Sequence, residues 1–328
     1  MQPALAGVNV AGYLRSRTGV GTVSRRYVRA LRALGAPVAL KDLSELNPVG
    51  VELSEARFDA EHPHPVNLIC VNAVEHPAFA WYVGEPFLRD KYNIGVWFWE
   101  LPAFPSEWCD RFVHYDELWA PTAFIANTLA PISPVPVVRI PVVLTPDTTQ
   151  SPGARDRGRQ RLGAKADEYV YLFVFDFMSY MERKNPIGLI DAFRAAFAPD
   201  VHARLVIKCV NGDFNPRGLA LLRERASGYP IDVIDGYRPA QEMDDLVAAC
   251  DAFVSLHRSE GLGLTMAEAM AAGKPVAATG WSGNTEFMNV ANSFPIRYQL
   301  VELEQAIGPY QAGSVWAEPS VEHAAEML

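Results

Sequence analysis

Short apolar runs alternate with stretches whose apolar residues recur every three or four positions, and this alternation runs through the chain twice. Val8–Ala11 reads as a strand, a Gly- and Arg-rich loop follows, and a helix is predicted from Thr22 to Leu34. That helix places Val23, Tyr27, Ala30, Leu31 and Leu34 on one face, as the helical period requires. Gly35 stops it, and strands are predicted at Val38–Leu40, Val66–Val71, Ile94–Trp99, Glu117–Ala120 and Val137–Ile140. Strands alternating with helices imply a mainly parallel sheet covered on both faces.

Between Val143 and Lys165 the pattern breaks at Pro146, Ser151, Pro152 and Gly153, and Arg155, Arg157, Arg159 and Arg161 follow. A linker is expected at 146–165, with a short helix at Arg155–Leu162, between an N-terminal domain (1–145) and a C-terminal domain (166–328). The second domain repeats the alternation. Its predicted strands are Tyr169–Phe175, Arg204–Cys209, Ile231–Ile234, Ala252–Leu256 and Pro275–Ala278; its predicted helices are Pro186–Ala198, Leu219–Ser227, Ala240–Ala249 and Leu264–Ala272. The expected fold class is α/β, two Rossmann-like doubly wound domains facing across a cleft, with ligands outside the strand carboxyl ends. Val321–Leu328 reads as a helix without a stop signal, so the expectation is a truncated final helix.

Composition narrows the function. With 328 residues, 49% hydrophobic and 20% charged, the chain can bury two sizeable cores and is not disordered or fibrous. A net charge of −9 argues against a nucleic-acid partner. Cys70, Cys109, Cys209 and Cys250 lie far apart without zinc spacing, and the histidines show none either, so no metal site is expected. The amino end lacks a signal-peptide pattern, and no run reaches the roughly 18 apolar residues of a spanning helix. The expected place is the cytoplasm, with at most peripheral contact at the inner membrane face.

The most informative stretch is Phe253–Gly273, FVSLHRSEGLGLTMAEAMAAG. A strand ends at Leu256, polar residues follow, then Gly261 and Gly263, then a helix carrying Glu268. Glycines let a ligand approach the backbone, and a helix start offers unpaired N–H groups and a positive dipole end, which together suit a phosphate. Glu268, about one turn in, can accept two hydroxyl hydrogen bonds from a ribose. The plainer alternative is that Glu268 complements the helix dipole and Glu260 is a solvated loop charge.

Glu260-x7-Glu268, framed by GLGLT and AMAAGKPVAATG, resembles the signature of the retaining glycosyltransferases of family 4, which have the GT-B architecture. The resemblance implies that Glu260 contacts the donor hexose, Glu268 the ribose hydroxyls, and the backbone of Gly263 and Leu264 the diphosphate, with Gly261 and Thr265 as further donor-binding candidates. It also implies cations from the loop after the first strand of this domain. Arg183 and Lys184 are the candidates, with Ser179 as a donor, although the family's usual Gly-Arg at the strand end is Phe175-Asp176 here. Fixed cations would stabilise the charge built on a leaving nucleoside diphosphate. His257, Arg258, Lys208 and Tyr237 are further donor-pocket candidates. The resemblance implies retention of configuration, with the leaving phosphate helping to deprotonate the incoming hydroxyl. There is no D-x-D, so a metal-independent hexosyltransferase with no cofactor beyond its nucleotide-diphosphate-sugar co-substrate is expected.

In the first domain, Gly19 and Gly21 belong to a glycine-rich loop that in the family lines the cleft on the acceptor side. The segment Gly95–Pro105, GVWFWELPAFP, offers Glu100 to position an acceptor hydroxyl and Trp99 as a sugar platform, against the plain reading that its aromatics are core. Arg15, Arg17, Arg25, Arg26, Arg29 and Arg32 make a basic stretch, read either as a solvated face or as a weak contact with anionic lipid suited to a lipid-linked acceptor. A glycan or small-molecule acceptor is equally compatible. Three competing functions remain: a GT-B-fold nucleotide-sugar epimerase, an inactive nucleotide-sugar-binding subunit, and an NAD-dependent oxidoreductase using Gly19-x-Gly21 with Asp42.

Overall fold

A computed structural model describes residues 6–47, 54, 57–144 and 151–328. The chain divides into two compact units, Met1–Leu144 and Thr145–Leu328.

Among the described residues of the first unit, β1 (Val8–Gly12), β2 (Val38–Asp42), β3 (Val66–Cys70), β4 (Tyr92–Val96), β5 (Glu117–Ala120) and β6 (Val137–Arg139) form a parallel sheet in the order β2-β1-β3-β4-β5-β6. Its helices are α1 (Gly19–Ala33), α2 (His76–Val83), α3 (Glu85–Leu88) and α4 (Ala123–Leu129). Register is fixed by buried amides. Asn9, Asn67 and Asn93 face one another across β1, β3 and β4; Asn9 Nδ2 donates to Asn67 Oδ1 at 2.8 Å and Asn67 Nδ2 to Asn93 Oδ1 at 2.7 Å. A one-residue slip would leave these buried groups unsatisfied.

In the second unit, β7 (Tyr169–Asp176), β8 (Ala203–Val210), β9 (Ile231–Ile234), β10 (Ala252–Ser255), β11 (Val276–Thr279) and β12 (Phe294–Ile296) run parallel in the order β12-β11-β10-β7-β8-β9. An antiparallel hairpin, β13 (Tyr298–Glu302) and β14 (Val315–Pro319), follows. The helices are α5 (Ala154–Leu162), α6 (Met181–Lys184), α7 (Pro186–Ala196), α8 (Pro216–Ala226), α9 (Ala240–Ala249), α10 (Leu264–Ala271) and α11 (Val321–Met327). The period-two side-chain alternation of β7 builds both core layers. Tyr171, Phe173 and Phe175 meet α7 and α8, whereas Val170 and Leu172 meet residues of α9 and α10. Helix α11 is N-capped by the Ser320 hydroxyl and packs against α7.

Several boundaries differ from the periodicity. Helix α1 starts at Gly19, not Thr22, because Thr18 caps it by accepting from Gly21 N. Strand β4 ends at Val96, so Trp97–Glu100 lie beyond the sheet. Helix α5, in the stretch read as linker, packs closely against α9: Arg157 and Arg161 both pair with buried Asp245. The basic stretch is not one solvated face either. Arg25 and Arg26 are buried, and Arg25 donates to the carbonyls of Leu14 and Ser16, which leaves Arg15, Arg17, Arg29 and Arg32 outward. No helix among the described residues is long and apolar enough to cross a membrane.

The α5–α9 contact depends on a glycine. A Cβ at Gly158 would lie 2.0 Å from the Asp245 carbonyl oxygen. Gly158→Ala is expected to destabilise the second unit by about 1–3 kcal/mol through overpacking, read as a lower urea midpoint at unchanged slope.

Candidate active site

In a doubly wound sheet a ligand crevice opens where the chain leaves one strand toward opposite neighbours. In the second unit that point lies between β7 and β10, since β7 is flanked by β8 on one side and β10 on the other. The segments after these two strands carry the charged candidates.

After β7 the chain makes a short turn and the one-turn helix α6, bracketed by Tyr180 (φ 64°) and Asn185 (φ 53°) in left-handed backbone. This reversal delivers Arg183 and Lys184 to the segment after β10. Lys184 Nζ hydrogen-bonds Glu260 Oε1; Arg183 Nη1 lies 3.3 Å from Glu260 Oε2 and donates to the Ser259 carbonyl at 2.7 Å. Arg183 is 4% exposed. Burial alone would raise the Glu260 pKa, but Lys184, Arg183 and His257 outweigh it and hold it at about 2. His257 is fully buried between Ser255 Oγ and Asn284 Oδ1, each 3.1 Å away, and burial lowers its pKa to about 4. It is therefore neutral at pH 7, and the cluster has two cations against one carboxylate.

Two further features fix Glu260. Its N–H donates to Ser282 Oγ at 2.8 Å, and its carbonyl accepts from Gly283 N at 2.8 Å. A Cβ on Gly283 would sit 2.0 Å from the Gly261 oxygen, so only glycine permits this approach. Helix α10 then begins: Gly263 (φ 83°) precedes it, the first turn holds no acidic residue and no side chain caps it, and Leu264 and Thr265 are its first residues. Glu268 is partly exposed further along the same helix.

The remaining candidates distribute unevenly. Ser179 ends the turn after β7, half-buried. Tyr237 Oη meets Asn211, which also binds Asp176 Oδ1 at 2.8 Å; the Asp176 that replaces the usual residue thus holds the loop after β8. Lys208, expected to seek an anion, is 1% exposed and donates instead to the carbonyls of Cys209 and Gly236. Arg258 turns from the donor pocket expected for it to a bidentate pair with Glu318 on β14 at 2.6 and 2.9 Å.

In the first unit, Gly19 is exposed with open space at its Cβ position, whereas a Cβ at Gly21 would meet the Ser16 and Tyr13 oxygens at 2.5 and 2.6 Å. Trp99 is a packing residue, not an open platform. It is 5% exposed, edge-on to Trp108 and Phe104, with its indole N–H on the Ala103 carbonyl. Glu100 is half-buried beside a residue that sequence reasoning missed, Glu75. Burial, reinforced by Glu100, pushes the Glu75 carboxyl up to about 7 despite its own backbone N–H and Arg111. Nothing in local spacing marks Glu75, because its environment comes from residues far apart in sequence. The dinucleotide stretch is differently built: Ser24 fills the gap against Gly12, and Asp42 accepts from Ser44 Oγ at 2.7 Å. Among the described residues no three His, Cys, Asp or Glu side chains are grouped to hold a metal ion.

Residues 169–304 match the family model described as Glycosyl transferases group 1, a span that includes Arg183, Lys184, Glu260 and Glu268. A D-inositol 3-phosphate glycosyltransferase of Thermobispora bispora is 32% identical over 183 residues, 51% of this chain and 41% of that protein. The match thus spans less than half the relative's length. Among solved structures, a glycosyltransferase from Rickettsia africae superposes with a TM-score of 0.68 at 13% identity, covering 98% of this chain and 86% of that one. Anabaena Alr3699/HepE, solved with UDP and glucose, gives a TM-score of 0.64 at 15% identity, covering 98% and 89%. The fold is the α/β, two-unit GT-B fold expected from the sequence.

The pairing of Glu260 has a measurable consequence. Its folded pKa of about 2 lies below the ordinary 4.5, so its stabilisation is complete above 4.5 and is lost as pH falls toward 2. Lys184→Met is expected to cost about 3–5 kcal/mol at pH 7 by leaving a buried carboxylate less compensated, with the deficit shrinking at acid pH. Glu75 has the opposite sign: raised from 4.5 to about 7, it destabilises the folded state progressively as pH rises across that interval. Melting curves of Glu75→Gln and the parent at pH 5 and pH 8 should show the variant gaining relative stability at pH 8.

Proposed function

We propose that the chain is a glycosyltransferase, moving a hexosyl group from a nucleoside-diphosphate sugar to an acceptor hydroxyl with retention of configuration. The observation that carries this reading is the Arg183–Glu260–Lys184 cluster at the second unit's crevice, directly before the uncapped start of α10. Two fixed cations and a helix start suit a diphosphate, and they stabilise the charge that develops as the sugar–phosphate bond breaks. Glu260 is assigned the donor hexose. Glu268 is assigned the ribose hydroxyls, and Lys184 and Arg183 the leaving diphosphate. No residue in the cluster is poised as a free nucleophile: Glu260 is held by both cations. That suits a same-face mechanism in which the leaving phosphate accepts the acceptor's proton. These cations would serve the leaving group without a divalent metal.

The test is a calorimetric panel of UDP, GDP, dTDP, ADP and NAD without metal, repeated on Glu268→Ala. UDP leads the panel because HepE was solved with UDP and glucose. One nucleoside diphosphate should bind preferentially, and the variant should lose roughly tenfold or more, the worth of one or two hydrogen bonds to a charged group. Binding of NAD alone, or equal binding by the variant, would sink the reading. Donor incubated without acceptor should remain unepimerised.

A further inference from the structure

The hairpin of β13 and β14 has one open edge. The hydrogen bonds at its ends tell the two edges apart. At one end Ser320 N donates to the Arg297 carbonyl at 2.8 Å, and at the other Leu303 N donates to the Ser314 carbonyl at 2.8 Å. Inter-strand bonds fall on alternate residues of an antiparallel pair, so Arg297, Gln299, Val301 and Leu303 turn their backbone groups toward β14. Tyr298, Leu300 and Glu302 turn theirs away. The far edge of β14 is already engaged, since Ala317 N donates to the Arg258 carbonyl at 3.0 Å. Among the described residues nothing hydrogen-bonds the outward N–H or carbonyl of Tyr298, Leu300 or Glu302, and β13 pairs with no strand but β14.

We propose that β13 is the surface through which two copies of this chain associate, the open edges of two β13 strands pairing antiparallel about a two-fold axis at Leu300.

The edge is suited to pairing. Tyr298 and Leu300 are 38% and 55% exposed. From Tyr298 to Val301 the strand carries no charge, no proline and no bulge, the devices that guard a free edge. Five residues make a short ladder, so association is expected to depend on concentration. On its other side the hairpin holds Arg258 through Glu318, one strand away from the open edge.

The sequence favours a second copy over an unrelated strand, because a two-fold contact must be complementary to itself. Centring on Leu300 sets Leu300 against its own counterpart and Tyr298 against Glu302 of the second copy. All three outward residues then exchange both backbone bonds, whereas a shifted register leaves one of them unpaired. Apolar side chains meet at the axis, and each Tyr298 phenol stands beside a carboxylate that can accept from it. Charge fits in the same sense. Arg297 leads into the strand, and Glu302 and Glu304 lie at its far end. Antiparallel pairing brings the basic start of each copy to the acidic end of the other, and parallel pairing would put like beside like. Arg297 already lies 3.6 Å from Glu326, but that pair is exposed and weak.

The experiment is sedimentation equilibrium on the full chain over a concentration series. The parent should pass from monomer to dimer and stop there, because a two-fold contact uses the edge up. Leu300→Pro removes an outward N–H and leaves the bonds to β14 in place, as proline is tolerated at an edge. It should weaken association roughly tenfold or more, the worth of the two hydrogen bonds at the axis, with an unchanged circular dichroism spectrum. Leu300→Lys and Leu300→Glu set like charges face to face across the axis, so each should sediment as a monomer. An equal mixture of those two should associate again, and this arm decides should Leu300→Pro unfold. A parent that stays monomeric at every concentration, which would leave the edge to a strand of another protein, would overturn the proposal. So would undiminished association of folded Leu300→Lys and Leu300→Glu, or a mixture that associates no better than either variant alone.

Discussion

A carboxylate kept ionised while almost out of water is the constraint around which the second unit is arranged. Glu260 is 12% exposed, and removing such a group from solvent is offset only by close cations with good geometry. Those cations come from a different strand, so the loop after β7 must turn back sharply. It does so through Tyr180 and Asn185, both in left-handed backbone, a conformation that costs non-glycine residues about 1–3 kcal/mol each. Ser282 (φ 76°) accepts the same kind of strain and thereby places its hydroxyl on the Glu260 N–H. Four of the five non-glycine residues with positive φ among those described, with Asn211 the fourth, lie in loops at the carboxyl ends of this one sheet.

The hairpin beyond the sheet answers to the same constraint. Arg258 N donates to the Arg183 carbonyl at 2.7 Å, the Arg258 carbonyl accepts from Ala317 N at 3.0 Å, and its guanidinium grips Glu318 and the Glu182 carbonyl. Tyr310, in the connection between β13 and β14, packs edge-on against Tyr180 at 5.6 Å and lies 6.0 Å from the Arg183 guanidinium. Both loops of the cluster are therefore braced from the same side. Arg258 takes part in this bracing through its guanidinium, a contact with β14 that its proximity to Glu260 in sequence did not reveal.

What could be read from the sequence was what repeats locally. The alternation of Tyr169–Phe175 announced a buried strand, and glycines around a carboxylate ahead of a helix announced the Glu260 segment. Lys184 was legible through its place after that strand. The asparagine ladder was not, because Asn9, Asn67 and Asn93 become neighbours only when three strands pair in register. Glu75 was hidden for the same reason: its burial and its neighbour Glu100 come from another strand's loop. Trp99 misled because an aromatic near a strand end looks alike whether it lines a pocket or, as here, packs on Trp108.

The charge balance of the cluster sets it apart from the rest of the chain. In the second unit, Arg183 and Lys184 face one carboxylate, and burial keeps His257 neutral, so the balance is positive. In the first unit, Glu75 and Glu100 are opposed by Arg111, and no such excess of cations arises from these three groups. Against a chain charge of −9, a local excess of buried cations held by backbone strain and by hydrogen bonds from two loops is what makes the Glu260 segment stand out, because every part of that arrangement adds cost unless something negative completes it.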